Sequence, residues 1–67
     1  MRIFVNDESR EAPEGCSLAA ALSAVGVQDA RGWAVAVNEE VVPTESWETL
    51  ELETDDSVLL VQATQGG

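Results

Sequence analysis

Histidine and lysine are absent from this 67-residue chain, cysteine occurs once, and the only basic side chains are three arginines. Each shortage removes a class of function. One cysteine cannot form an internal disulfide framework, and without histidine there is no set of ligands for a structural zinc ion. No histidine base stands ready to activate a nucleophile. No glycine-rich phosphate loop occurs. No apolar stretch approaches the ~20 residues that span a bilayer, and the opening MRIFVNDES lacks a signal-peptide pattern and reads as a strand. The expectation is a cytoplasmic protein with no cofactor and no metal.

What is plentiful is acid. Thirteen Asp and Glu face three Arg, for a net charge of −10. Such a surface repels nucleic-acid phosphate and anionic lipid, and it suits a basic protein partner. Hydrophobic residues make up 45 % of the chain, enough for one compact core. At this size a domain is marginal, at roughly 3–10 kcal/mol from ~0.05–0.15 kcal/mol per residue.

Hydrophobic periodicity divides the chain. Residues 2–6 alternate, with Ile3 and Val5 on one face and Arg2 and Phe4 on the other. Asn6-Asp7-Glu8 supplies turn chemistry, and a short polar strand near 9–12 completes a hairpin before Pro13-Glu14-Gly15 breaks it. Ser17 has the character of an N-cap. Leu18, Ala21, Leu22 and Val25 recur at helical spacing, and Gly26 is a left-handed stop, so the pattern predicts a helix over 18–25. Cys16, just before it, reads as a small packing residue. A loop over 27–32 leads to WAVAVN, where Trp33, Val35 and Val37 share one face and Ala34 and Ala36 the other. Asn38-Glu39-Glu40 turns the chain, Val41-Val42 pairs back, and Pro43 ends the strand. TESW makes a short helical turn that tucks Trp47 against the core. Asp55-Asp56 marks another turn, and residues 58–63 form the last strand. The acid pairs Glu39-Glu40 and Asp55-Asp56 read as solvated turn residues.

The last strand is apolar on both faces, which predicts a central place in a small mixed sheet with the helix covering one side. Its outward residues are then Leu59 and Val61. With Phe4 and Ala36 they form an apolar patch on the open face, a candidate partner surface. The chain closes on VQATQGG. Terminal glycines are common at frayed ends, so this tail gains meaning only from the rest of the chain.

Hairpin, helix, hairpin and a final strand running into Gly-Gly is the order of the β-grasp, or ubiquitin-like, fold: α+β, with a mixed four- to five-stranded sheet and one main helix on one face. The chain resembles the ThiS family of sulfur carrier proteins of thiamin biosynthesis over essentially its whole length. GCSLAAAL is similar to the family's helix start. AVAVNEEVVPTESW is similar to its most distinctive block, a strand ending in Val-Asn, two turn residues, Val-Val-Pro and a Trp. LELETDDSVLLVQATQGG is similar to its end. Thr44 stands where a basic residue commonly follows the proline, and Asp55 where Gly often precedes the aspartate. Asp tolerates positive φ better than most residues.

The resemblance implies a single domain over 1–63 and a flexible tail over 64–67. It implies that the carboxylate of Gly67 is adenylated with ATP by a ThiF-like activating enzyme. Sulfur from a persulfide-bearing donor protein would convert it to a thiocarboxylate, which serves a ThiG-like thiazole synthase. Gly66 would thread a narrow channel, having no Cβ, with Gln65 and Thr64 supplying reach. Ala63 adds to that reach, and the five residues 63–67, fully extended, span roughly 16–18 Å. The chain itself would be a co-substrate and not an enzyme, with no nucleic-acid or membrane partner. Three readings remain beside it: a MoaD-type carrier for molybdopterin or another sulfur pathway, a protein modifier conjugated to lysines, and a passive interaction module.

The charge generates a test of its own. Self-repulsion among the acids weakens the fold at low ionic strength and is screened once the Debye length falls to ~8–10 Å. Raising salt from very low to physiological levels is expected to raise the melting temperature by a few degrees, followed by circular dichroism. A melting temperature indifferent to salt would show that the acids do not repel one another across this surface.

Overall fold

A computed structural model of the chain describes residues 1–27 and 31–62. The elements follow in the order β1 (Arg2–Val5), β2 (Glu8–Glu11), α1 (Leu18–Ala24), β3 (Trp33–Val37), β4 (Glu40–Val41), a 3-10 turn at Thr44–Ser46, and β5 (Ser57–Gln62). They build one five-stranded sheet in the order β2-β1-β5-β3-β4. The last strand is central, as its two apolar faces require. It runs parallel to β1 and antiparallel to β3.

The alternation read in the sequence matches the burial. Ile3 and Val5 of β1, Val35 and Val37 of β3 and Val58 of β5 are buried, and Leu18, Ala21 and Leu22 of α1 join the same core. Trp47 and Leu52 complete it from the connection between the 3-10 turn and β5. The Trp47 indole N–H donates to the Val42 carbonyl at 3.1 Å, so its one polar atom is satisfied while its rings are buried.

The helix start is held more firmly than by its cap alone. Ser17 Oγ accepts from the Ala20 N–H at 3.1 Å, as an N-cap should. Two further helix-start N–H groups find tertiary partners, Leu18 on the Leu50 carbonyl and Ala19 on the Trp47 carbonyl, both at 2.8 Å. Segment 47–52 therefore caps the helix from outside, which relieves a helix of two turns of its usual orphan donors. The helix ends one residue before the expected limit. Val25 is its C-cap, with φ −99°, and Gly26 follows at φ +96°, the left-handed stop.

Three strands, β2, β4 and β5, also start one residue earlier than expected, and two of the three shifts share a cause. The sequence suggested three-residue turns at 6–8 and 38–40. Both are two-residue turns, with Asn6 and Asp7 at φ +51° and +69° and Asn38 and Glu39 at +51° and +72°. Positive φ at both central positions gives the turn whose twist matches the flanking strands. Val5 then pairs directly with Glu8 and Val37 with Glu40. Glu8 therefore belongs to β2, and the fourth strand is Glu40–Val41, not 41–42. At β5 the strand begins at Ser57, because the Ser57 N–H and carbonyl both bond to Asn38. The expected strand end at residue 63 lies outside the described residues.

These turns generate a pair of predictions. Glu39 occupies a conformation that costs an L-residue with a Cβ about 1–2 kcal/mol. Glu39→Gly is expected to stabilise the fold by about 0.5–1 kcal/mol in urea unfolding. Asn38→Ala removes two side-chain hydrogen bonds, to Ser57 and Asp56, and is expected to cost about 1–3 kcal/mol. A neutral Asn38→Ala would mean that water replaces both bonds without loss.

Candidate functional site

The side of the sheet away from α1 is the candidate surface. Cross-strand partners share a face, so the register states what lies on it. Ala36 stands opposite Leu59, and Ala34 opposite Val61. Phe4 pairs with Ser57, one position diagonal to Leu59. The four residues expected to form the patch, Phe4, Ala36, Leu59 and Val61, therefore lie on one face of three adjacent strands. Leu59 and Val61 are 52 % and 51 % exposed, whereas Phe4 and Ala36 are half-buried.

Two contributors escaped sequence reasoning. Val41 is 79 % exposed and sits opposite Ala36, so it extends the patch onto β4. The signal was available: a two-residue turn at 38–39 fixes this pairing, whereas a three-residue turn hides it. The second is Arg2, whose guanidinium lies 5.4 Å from the centre of the Phe4 ring. At that distance a cation is attracted to the ring face, by about 0.5–1 kcal/mol at an exposed site. The same guanidinium reaches Asp55 Oδ1 at 3.3 Å. With both groups exposed, this ion pair adds little to stability, but it holds the cation at the margin of the patch beside Phe4. Asp55 has φ +69°, the positive value anticipated for the place where glycine often stands.

The acid pairs are not equivalent. Glu39 and Glu40 are exposed, as expected. Asp56 is a structural clamp: its Oδ1 accepts from Asn38 Nδ2 at 3.0 Å and its Oδ2 from the Glu53 N–H at 2.8 Å. Cys16 is half-buried, and its carbonyl accepts from the Leu52 N–H. Among the described residues no group of His, Cys, Asp and Glu is arranged to hold a metal ion, and no helix is long and apolar enough to cross a membrane.

The patch lies on the strand that leads toward the chain's end. The Leu60 N–H donates to Asn6 Oδ1 at 2.8 Å, and Gln62 is paired with Trp33. The strand is thus fixed on both sides up to the start of VQATQGG. Thr64, Gln65, Gly66 and Gly67 lie outside the described residues.

A model of the ThiS family matches residues 2–67. The chain belongs to the ThiS family. It is 31 % identical over 67 residues to the sulfur carrier protein ThiS of Escherichia coli (strain K12), with 100 % of both chains covered. The crystal structure of the thiamine biosynthesis protein ThiS from Geobacter metallireducens superposes with a TM-score of 0.85 at 26 % identity, covering 100 % of both chains. A solution structure of a thiamine biosynthesis protein from the same organism gives 0.78 at 26 % identity, over 100 % of this chain and 88 % of that one. The five-stranded mixed sheet with one helix is the β-grasp arrangement of that family.

Substitutions at neighbouring positions of β5 test which face is open. Val58 is buried and Leu59 is not. Val58→Asp is expected to unfold the protein, because it places a carboxylate in an apolar core. Leu59→Asp is expected to shift stability by no more than about 0.5 kcal/mol. Equal losses at the two positions, in thermal unfolding followed by circular dichroism, would contradict the assignment of faces.

Proposed function

We propose that this protein is a sulfur carrier that works in the cytoplasm for thiazole formation in thiamin biosynthesis, with Gly67 as its reacting residue. Residues 1–63 act as the folded body and 64–67 as the tail that enters a partner's active site. A free carboxylate is a poor electrophile. An ATP-dependent, ThiF-like enzyme joins it to AMP with release of pyrophosphate. The outer sulfur of a donor protein's cysteine persulfide then displaces AMP and forms an acyl disulfide. A second thiol cleaves that sulfur–sulfur bond, leaving a thiocarboxylate on Gly67 and a disulfide between the thiols. A ThiG-like thiazole synthase accepts the sulfur. The carrier contributes no acid, base or metal to these steps.

The observation that supports this reading best is that the family match runs through residue 67, so the two glycines belong to the matched region. The kinship with an Escherichia coli protein named as a sulfur carrier, aligned over its full length, supports it further. Chemistry agrees. Glycine adopts extended and left-handed conformations closed to other residues, and without a Cβ it passes a channel that wider residues block. We assign the docking of the activating enzyme to the open sheet face, through Phe4, Ala36, Leu59 and Val61, with Val41 at its edge. Apolar contacts there give affinity, and the acidic surroundings speed encounter with a basic partner.

The decisive experiment follows pyrophosphate exchange. With the activating enzyme, ATP and labelled pyrophosphate, the intact chain is expected to support exchange, and the chain lacking Gly67 is expected to support none. Intact mass of protein from cells should show one oxygen replaced by sulfur. Exchange that survives the deletion would exclude Gly67 as the activated residue. A passive interaction module would keep its activity without Gly66 and Gly67, and isopeptide-linked adducts in extract would mark a protein modifier.

A further inference from the structure

A second surface lies on the other side of the sheet, away from the patch. Between β2 and α1 runs a groove of about 600 Å³, with Ile3, Val5, Ala12, Cys16, Ala21 and Val25 in its lining. It exists because the helix carries alanine where it faces β2. Ala20 and Ala24, one turn apart, also line the groove and are exposed. Larger side chains at these positions would close it.

One wall of the groove is a sheet edge. Among the described residues β2 pairs with β1 alone, so its outer side carries backbone groups without a strand partner there. The ladder says which ones. The Ala12 N–H donates to the Met1 carbonyl, and Val5 and Glu8 close the two-residue turn. In an antiparallel pair, hydrogen-bonded positions alternate, so Ala12, Arg10 and Glu8 bond inward to β1. Ser9 and Glu11 therefore direct their N–H and carbonyl groups away from the sheet. These two donors and two acceptors lie along the lip of an apolar groove.

We propose that this groove and edge form a docking site for an extended peptide segment of a partner protein, apolar at alternate residues and flanked by basic ones. The added strand would pair with Ser9 and Glu11, and its alternate side chains would enter the groove. The charge of the rim selects the flanks. Glu8 and Glu11 stand on β2, and exposed Glu14 follows Pro13 of the lining. Arg10, a cation in the lining, is paired with Glu8 at 3.4 Å. A second copy of the chain fits the edge poorly. Antiparallel pairing of two β2 strands through Ser9 and Glu11 would set Arg10 of one against Arg10 of the other, on bodies of net charge −10 each. The site is separate from the open sheet face, so it leaves the docking of the activating enzyme undisturbed and stands whether or not Gly67 carries sulfur.

The test uses the full chain, labelled with nitrogen-15, and a synthetic decapeptide of alternating valine and serine flanked by two arginines at each end. Titration is expected to shift the amide resonances of 9–12 and 20–25 and to slow hydrogen exchange of the Ser9 and Glu11 amides at least tenfold. The same peptide with glutamates for arginines is expected to bind at least tenfold more weakly. Ala24→Phe, at an exposed helix position, should fill the groove and weaken binding tenfold with the fold retained; Glu11→Arg should weaken it without filling anything. Shifts confined to Phe4, Leu59 and Val61, exchange at Ser9 and Glu11 unchanged, or dimers through β2 by sedimentation would each overturn the proposal.

Discussion

The sheet depends on how its central strand is seated. β5 arrives last and must fit between β1 and β3, which belong to different hairpins. Each hairpin reaches it with the asparagine of its own turn. Asn6 donates its N–H to the Val58 carbonyl and accepts from the Leu60 N–H through its side chain. Asn38 donates to the Ser57 carbonyl and accepts from the Ser57 N–H in the same manner. Both residues hold positive φ, a conformation asparagine tolerates well. One residue type thus performs two tasks at each turn, reversing the chain and fastening the strand between. This accounts for the Val-Asn ending of WAVAVN in physical terms: the valine is core, and the asparagine is a clamp.

The clamps matter because so little else holds the body together. Among the described residues the core is eleven buried hydrophobic residues, three of them on a helix of two turns. No buried polar or charged residue occurs among those described, so the interior carries no desolvation penalty to offset. The described acids remain outside the core. The ion pairs given by the described residues, Arg2 with Asp55 and Arg10 with Glu8, are both exposed and contribute little. Stability therefore rests on apolar packing and on the side-chain hydrogen bonds around β5.

Much of this was legible in the sequence, and the rest was hidden for stated reasons. The alternation of Ile3 with Val5 and of Val35 with Val37, the helical spacing from Leu18 to Leu22, and the double-faced last strand gave element order and the central place of β5. The turns were misjudged by one residue because the residue after each, Glu8 or Glu40, is as polar as the turn itself, so residue type does not mark where the strand resumes. That slip concealed Val41, since turn length alone decides which strand face it takes. The outside capping of the helix by Trp47 and Leu50 carbonyls was not legible, because a backbone carbonyl leaves no mark on residue identity. Arg2 over Phe4 needed the β1–β5 neighbourhood, with Asp55 anchoring the guanidinium from a distant point in the chain.

The seating of β5 also governs what happens when the chain is pulled. A partner that draws the last residues into a channel applies force along the axis of β5, from Gln62 inward. With β1 on one side and β3 on the other, that load falls across both ladders in shear: the Gln62–Trp33 pair meets it first on the β3 side, and the Asn6 clamp on Leu60 meets it on the β1 side. An edge strand under the same load would peel away one rung at a time. A mechanically central strand lets a body of marginal thermodynamic stability stay intact while its end is held under tension.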